Sequence, residues 1–238
     1  MGPKWRGLLI GILNVGRPIE VKSLIAEIAV YQPELVCLTE AHEDTLAAFG
    51  GHVMSDIGYR AAHKKPSERL VVLWSKARWE PLPIPQDLRA AGGIVAGRTD
   101  LAGHEVLCVG LCIPYHMAKR AGETRTRPWH HHKIFLKHLK PWLETLPDQG
   151  PVVVMGDFNQ RIPRKYGSRE AHAALLDSFT PFQFITAGAL APLDENTIDH
   201  IALSGPLIAN KVEARSRFAP DGRARSDHFG VFAEIERL

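Results

Sequence analysis

The sequence predicts an α/β (α+β) protein in which two packed β-sheets carry helices on their outer faces. Short apolar runs of strand length recur along the whole chain, whereas only three stretches space their apolar residues as a helix does. No internal repeat or low-complexity linker divides the 238 residues, so all of these runs are expected to share one domain, 1–238.

Each element has its own signal. Residues 8–14 read as a strand. Residues 19–31 carry Val21, Leu24, Ile25 and Ile28 at helical spacing, and Pro33 stops that helix. Residues 34–39 form a buried apolar strand that ends at Glu40. Further strands are expected around Val53 and at 70–74, 94–97 and 106–113, with the Pro-rich run 81–85 as a hairpin connection. Residues 128–146 have helical periodicity through Ile134, Phe135, Leu139, Trp142 and Leu143, with Pro141 as a kink or break. Val152, Val153, Val154 and Met155 make a short buried strand, followed by a helix near 169–179. Strands near 182–186, 198–203, 212–217 and 229–235 complete the chain; in the last, Phe229, Val231, Ala233 and Ile235 alternate with Gly230, Phe232 and Glu234.

Polar chemistry gathers where these strands end. Gly156-Asp157-Phe158-Asn159 follows the 152–155 strand, Ser226-Asp227-His228 precedes the last one, and Asp199 lies inside the apolar run 197–203. Carboxylates, an amide and a histidine delivered this way are what hydrolysis of a phosphate ester with a hard cation needs.

The net charge of +3 does not by itself announce a nucleic-acid binder, but its distribution is uneven. Residues 119–140 hold seven Lys or Arg against one Glu, with four histidines besides. Arg161, Arg164, Lys165 and Arg169 follow the Asp157 strand, and Arg215, Arg217, Arg223 and Arg225 lead into Asp227. Basic loops flanking the carboxylates suit an anionic substrate, or form a solvated basic surface. Cys37, Cys108 and Cys112 are odd in number and lack metal-ligand spacing, which disfavours disulfides and zinc and favours a reducing compartment. Lys4 and Arg6 before the apolar run 8–13 faintly imitate a signal peptide, but Asn14, Gly16 and Arg17 cut the run short. Arg6 stands where a myristoylation pattern at Gly2 wants Ser or Thr. No stretch has the ~18 apolar residues of a membrane span. A cytoplasmic protein is expected, with a monomer as the default.

Six segments occur in the order of a known family. Ile12-Leu13-Asn14, the 34–40 strand with Glu40, the 70–76 strand, Gly156-Asp157-Phe158-Asn159, Ile198-Asp199-His200-Ile201 and Ser226-Asp227-His228 resemble the motifs of the endonuclease/exonuclease/phosphatase superfamily. The resemblance implies a four-layer sandwich of two mixed β-sheets flanked by helices. It implies a phosphoesterase using Mg2+ or Mn2+, with Glu40 as principal ligand, Asp227 as a further metal or water ligand, and Asp199 orienting His228.

The residues support these roles on physical grounds. A carboxylate ending an apolar strand is costly to bury unpaired, and a divalent cation at Glu40 would remove that cost. Asn14 can lend a neutral oxygen to the metal or bond a phosphate, or else serve as a turn residue before Gly16. Asp157 and Asn159, two apart on an extended chain, face one side, so Asp157 can take a proton from a water that Asn159 orients; Phe158 then points into the core. An aspartate bonded to an imidazole favours the charged ring, and such a His228 would neutralise charge on the phosphate. His200, adjacent to Asp199, faces the other way and is expected to pack.

Cys112 stands where the family usually has a His or Tyr against the phosphate, so Tyr115 or His116 is expected to reach it from the loop instead. Arg120, Arg125 and Arg127, with Arg161, are expected to clamp the substrate's phosphates. His130, His131 and His132 cannot all face one way on a helix and are not read as a metal site. Trp129 and Trp142 could stack a base, although on a helix a core position is the commoner use. The resulting expectation is a nuclease acting on DNA or RNA. The alternatives are a phosphatase or phosphodiesterase of a small metabolite or lipid, and a catalytically idle scaffold binding an anion. A serine hydrolase is disfavoured because no Gly-x-Ser-x-Gly turn occurs.

Overall fold

A computed structural model describes residues 7–16, 21–58 and 66–237 of the chain. Gly2, Lys4, Arg6, Arg17 and the expected start of the first helix at residue 19 lie outside the described residues. The elements run β1 (Leu8–Asn14), α1 (Val21–Tyr31), β2 (Leu35–His42), β3 (His52–Asp56), β4 (Glu68–Ser75) and β5 (Glu80–Pro81). There follow α2 (Gln86–Ala91), β6 (Gly93–Asp100), β7 (Glu105–Cys112), α3 (His130–Leu143), β8 (Val152–Asp157) and α4 (Arg169–Ser178). The chain closes with β9 (Gln183–Phe184), β10 (Ala189–Leu190), β11 (Glu195–Asn196), β12 (Asp199–Ser204), β13 (Leu207–Arg215) and β14 (Gly230–Arg237).

Two six-stranded mixed sheets stack face to face. One has the order β13-β14-β1-β2-β4-β3 and the other β5-β6-β7-β8-β12-β9. Their alternation explains the layers. In β7, Val106 and Cys108 join the cluster between the sheets, which also holds Ile10, Ile12, Cys37, Leu73, Met155 and Ile201. Leu107, Val109 and Leu111 of the same strand face outward, beneath Leu88 of α2, Phe135 and Leu139 of α3 and Leu175 of α4. Both faces of β7 are therefore apolar, as a strand covered on both sides requires. A third cluster, with Val36, Leu38, Val72 and Ile28, lies on the outer face of the first sheet toward α1. The result is the four-layer α/β sandwich that the resemblance implied.

Packing outweighs surface charge in seating the helices. Phe135, Leu139 and Leu143 are fully buried, and burial of each stabilises by about 2 kcal/mol. The Lys133–Glu170 and Lys140–Asp177 pairs between α3 and α4 are exposed and contribute far less. Helix ends follow local chemistry: Ser168 caps α4 by accepting the Ala171 N–H at 3.2 Å, and after α1 Gln32 turns left-handed (φ 47°) before Pro33.

Three local expectations are corrected. The Pro-rich run 81–85 is not a plain hairpin connection, because it leads into α2, whose Leu88 and Ala91 pack under the second sheet. Pro141 does not split α3; it falls near the C-terminal end, and the helix closes at Leu143 with Glu144 N–H bonding Lys140 O at 3.0 Å. The strand expected at 182–186 shortens to the two residues of β9.

Candidate active site

The polar strand ends meet at one end of both sheets. β1 ends at Asn14, which is in register with Thr39 of parallel β2, one residue before Glu40. β14 runs back antiparallel to β1, so the residues just before it, Asp227 and His228, arrive at the same edge. In the other sheet Asp157 at the end of β8 is in register with Asp199 at the start of antiparallel β12 and with Cys112 at the end of parallel β7. A cavity of about 550 Å³ lies between, lined by Asn14, Glu40, Asp157, Asn159, Asp227 and His228. Leu70, Cys112, Ile113, Tyr115 and His116 complete its wall.

The first sheet thus contributes Asn14, Glu40, Asp227 and His228, and the second contributes Asp157, Asn159 and Asp199. One hydrogen bond joins the two sets: His228 Nδ1 to Asp199 Oδ2, 2.7 Å. Asp199 is itself set by Thr197, whose Oγ1 accepts the Asp199 N–H at 2.8 Å. Asn159 does not reach the site by strand alternation, because β8 ends at Asp157 and Asn159 turns left-handed (φ 55°). Its N–H donates to Asp157 Oδ1 at 2.8 Å and its Nδ2 donates to Ile113 O at 2.9 Å. An Asn tolerates that backbone where a branched residue would not. Phe158 between them is fully buried against Phe179 and Phe184.

Charge is crowded here. Burial, followed by repulsion from Asp199, carries the Asp157 carboxyl up to about 8; His228 and the Asn159 N–H oppose this. Burial pulls His228 down, but the charge and hydrogen bond of Asp199, with Asp157 and Asp227, outweigh it and carry the imidazole up to about 10. A raised histidine stabilises the fold fully below its unfolded value near 6.5 and loses that contribution as pH rises through about 10. Melting measured from pH 6 to 11 should therefore fall less steeply in His228→Gln than in the wild type; equal slopes would contradict the assignment.

The site fits a divalent cation. Three carboxylates, Glu40, Asp157 and Asp227, line the cavity with the amides of Asn14 and Asn159, a fourth, Asp199, is bonded to His228 behind it, and oxygen donors suit a hard ion. Asp199 Oδ1 is buried without a hydrogen-bond partner. Gly16 leaves space beside Glu40: a Cβ there would overlap Glu40 Oε2 and stand 2.9 Å from Asn14 Oδ1. Glu40 also holds a left-handed backbone (φ 52°) inside β2, a strained position for a non-glycine residue and one that recurs at functional sites. Among the described residues, Asp157, Asp199 and His228 bring ligand-type atoms within 4.8 Å of one another.

The remaining candidates separate. Tyr115 and His116 line the cavity. Arg125 and Arg127 are exposed on the loop before α3, and Arg120 is half-buried, its N–H donating to Glu123 Oε2 at 3.0 Å. Arg161 lies over the ring of Tyr166, outside the cavity wall. His132 is fully buried, bonded to Pro114 O and Gln160, and desolvation pushes it down to about 4. His200 packs in the core in the same way, held by Thr186 Oγ1 and Gln160 O. Gly16 and Tyr166 were not singled out as site residues; the only trace of Gly16 was the turn-like Asn14-Val15-Gly16.

A fold of two stacked mixed sheets with acid, amide and imidazole groups at one edge defines a phosphoesterase class. A profile of the Endonuclease/Exonuclease/phosphatase family matches residues 13–228, and the chain belongs to that family, whose members are hydrolases of phosphoester bonds. No curated protein matches it in sequence. Among solved structures it is similar to an AP endonuclease from Archaeoglobus fulgidus (15% identity, 95% of this chain and 98% of that one, TM-score 0.68). It is also similar to the human Nocturnin catalytic domain with bound sulfate (14%, 99% and 95%, TM-score 0.68). A third is D. rerio TDP2 complexed with single-strand DNA product (14%, 96% and 98%, TM-score 0.65). At these identities the likeness is one of fold. No helix among the described residues is long and apolar enough to cross a membrane.

Proposed function

We propose that residues 1–238 form a single-domain, divalent-metal-dependent phosphodiester hydrolase, a nuclease acting on DNA or RNA by in-line attack of an activated water. The observation that carries this reading is the convergence of Asp157, the Asp199–His228 pair and the Glu40–Asn14 edge on one cavity. Glu40 would hold Mg2+ or Mn2+ with Asn14 and Asp227, and the ion would polarise the phosphoryl oxygen and offset its charge.

The protein's own groups then have distinct tasks. Asp157 Oδ1 already accepts the Asn159 N–H, which leaves Oδ2 to take a proton from the attacking water. A carboxyl carried up to about 8 is a far stronger base than a free aspartate near 4. His228 donates from Nδ1 to Asp199, so Nε2–H is free to meet a nonbridging phosphate oxygen as charge builds there. Asn159 is pinned by its bond to Ile113 O, and its side-chain oxygen remains to orient the water. Arg120, Arg125, Arg127 and Arg161 would engage flanking phosphates, with His116 and Tyr115 at the cavity wall. The likeness to an AP endonuclease and to a TDP2 complexed with single-strand DNA product supports a nucleic-acid substrate.

The test is turnover of single- and double-stranded DNA, RNA, abasic duplex, a bis-aryl phosphodiester and inositol phosphates, each with Mg2+, Mn2+ or EDTA. Polynucleotide cleavage that EDTA abolishes is the expected result. A cavity of about 550 Å³ is also of small-ligand size, which favours a small phosphoester as the second reading. Salt separates the two: affinity resting on many phosphates falls steeply with ionic strength, and affinity resting on one does not. Silence across the whole panel would sink both.

A further inference from the structure

An aromatic run leaves the cavity on the side of the second sheet. Tyr115 and His116 line the cavity itself. Their rings lie 5.9 Å apart, and His116 lies 5.8 Å from Trp129. Trp129 in turn underlies Gly167, where a Cβ would stand 2.9 Å from its Cζ2. Tyr166 immediately precedes Gly167, with the Arg161 guanidinium 5.0 Å from its ring centre and bonded to its hydroxyl. Arg161 itself follows Asn159 by two residues, so the run starts and ends on segments that leave the cavity.

This run is built, not incidental. Trp129 is not inside a helix but just before α3, in a left-handed conformation (φ 64°) that is strained for an aromatic residue. Two contacts hold it there: its N–H donates to His116 O at 2.7 Å, and its ring meets the edge of His132 at 5.1 Å. His132 is in turn fixed by Pro114 O and Gln160, so the platform rests on a buried, doubly bonded support. The rings at both ends of the run are open to solvent, with Tyr115 at the cavity 37% and Tyr166 at the far end 66% exposed. Arg125, Arg127 and Arg164 supply positive charge on the same two loops, and Arg164 is tied to Gly167 O at 3.1 Å.

Exposed aromatic faces interleaved with arginines, beside a cavity suited to a phosphodiester, match unpaired bases and their backbone. Paired bases hide their faces in the duplex stack and could not use them. We propose that Tyr115, His116, Trp129 and Tyr166 form a stacking track for a single-stranded nucleic acid whose scissile phosphate occupies the cavity. This rests on the phosphodiesterase reading for the position of that phosphate. The track makes the protein selective for unpaired strands over duplex.

The experiment is equilibrium binding in EDTA, so that nothing is cleaved. The probes are a single-stranded oligonucleotide carrying a base analogue that stacking quenches, and a duplex of equal length. The wild type should bind the single strand more tightly than the duplex and quench the analogue. Tyr166→Ala, at an exposed position, should weaken single-strand binding by roughly 5- to 150-fold, and Tyr166→Phe should restore it because the ring face remains. Equal affinity for duplex and single strand in the wild type would overturn the track, as would wild-type binding by Tyr166→Ala. Hydrolysis of the bis-aryl phosphodiester by the wild type is measured in parallel. Hydrolysis without strand preference removes the track and keeps the phosphodiesterase. Strand preference with quenching but no hydrolysis of any ester keeps the track and removes the phosphodiesterase.

Discussion

Asp157→Asn is expected to lower kcat by about 10²- to 10⁴-fold, the range over which a positioned base contributes. The amide has the same shape and can still accept the Asn159 N–H, so the turn after β8 survives. It cannot take a proton. The same substitution should not cost stability. Burial and Asp199 carry the carboxyl up to about 8, so its ionised form burdens the fold increasingly as pH rises from near 4 through 8. The neutral amide escapes that burden, and the variant should melt no lower than the wild type at pH 9. Lost turnover with retained or raised Tm identifies a chemical role; a parallel loss of both would indicate a structural one.

The largest effect on stability is expected at Gly156, one residue before that aspartate. Its φ is 151°, outside the range of ordinary side chains, and a Cβ there would overlap Leu111 O and stand 2.7 Å from the Leu111 carbonyl carbon. The obstacle is backbone, so no rotamer relieves it. Neither strand can easily step aside, because β7 and β8 stay in register on both sides of the contact, through Gly110 with Met155 and Cys112 with Asp157. Gly156→Ala should cost about 3 to 5 kcal/mol, the exceptional end of single substitutions. For a chain of this size that corresponds to a fall in Tm of roughly 6–20 °C, readable by calorimetry. A shift within the error of the melt would mean that β7 and β8 do not approach so closely.

Much of this was legible before any coordinates, and the parts that were not share a cause. The long strands announced themselves because both faces are covered, which leaves nearly unbroken apolar runs such as 106–109 and 152–155. The edge strands β5, β9, β10 and β11 have two residues each, too few for any period to register. Helix α2 hides behind three prolines, since Pro81, Pro83 and Pro85 with Leu82 and Ile84 read as punctuation and Gln86 to Ala91 is a single short turn or two. At the site, Asp157, Asp199 and His228 stood out as polar residues where apolar strands end. Alternation along an extended strand predicts Asn159 at the cavity, whereas a left-handed turn and the Ile113 carbonyl bring it there. Trp129 reads as a helix residue because nothing local signals a left-handed tryptophan; contacts across the fold, to His116, His132 and Gly167, hold that conformation. Local pattern reports what a residue is beside in sequence, and these outcomes were set by what lies across the fold.

The bond between His228 and Asp199 is also a clasp across a seam. One partner belongs to each sheet, and 2.7 Å leaves little tolerance for slippage. Alignment of the two half-sites therefore depends on the apolar layer between the sheets, where Ile10, Ile12, Cys37, Met155 and Ile201 pack together. On the proposed function, catalytic fidelity is a property of that layer: a small sliding of one sheet over the other would misalign the two half-sites while every strand remained intact.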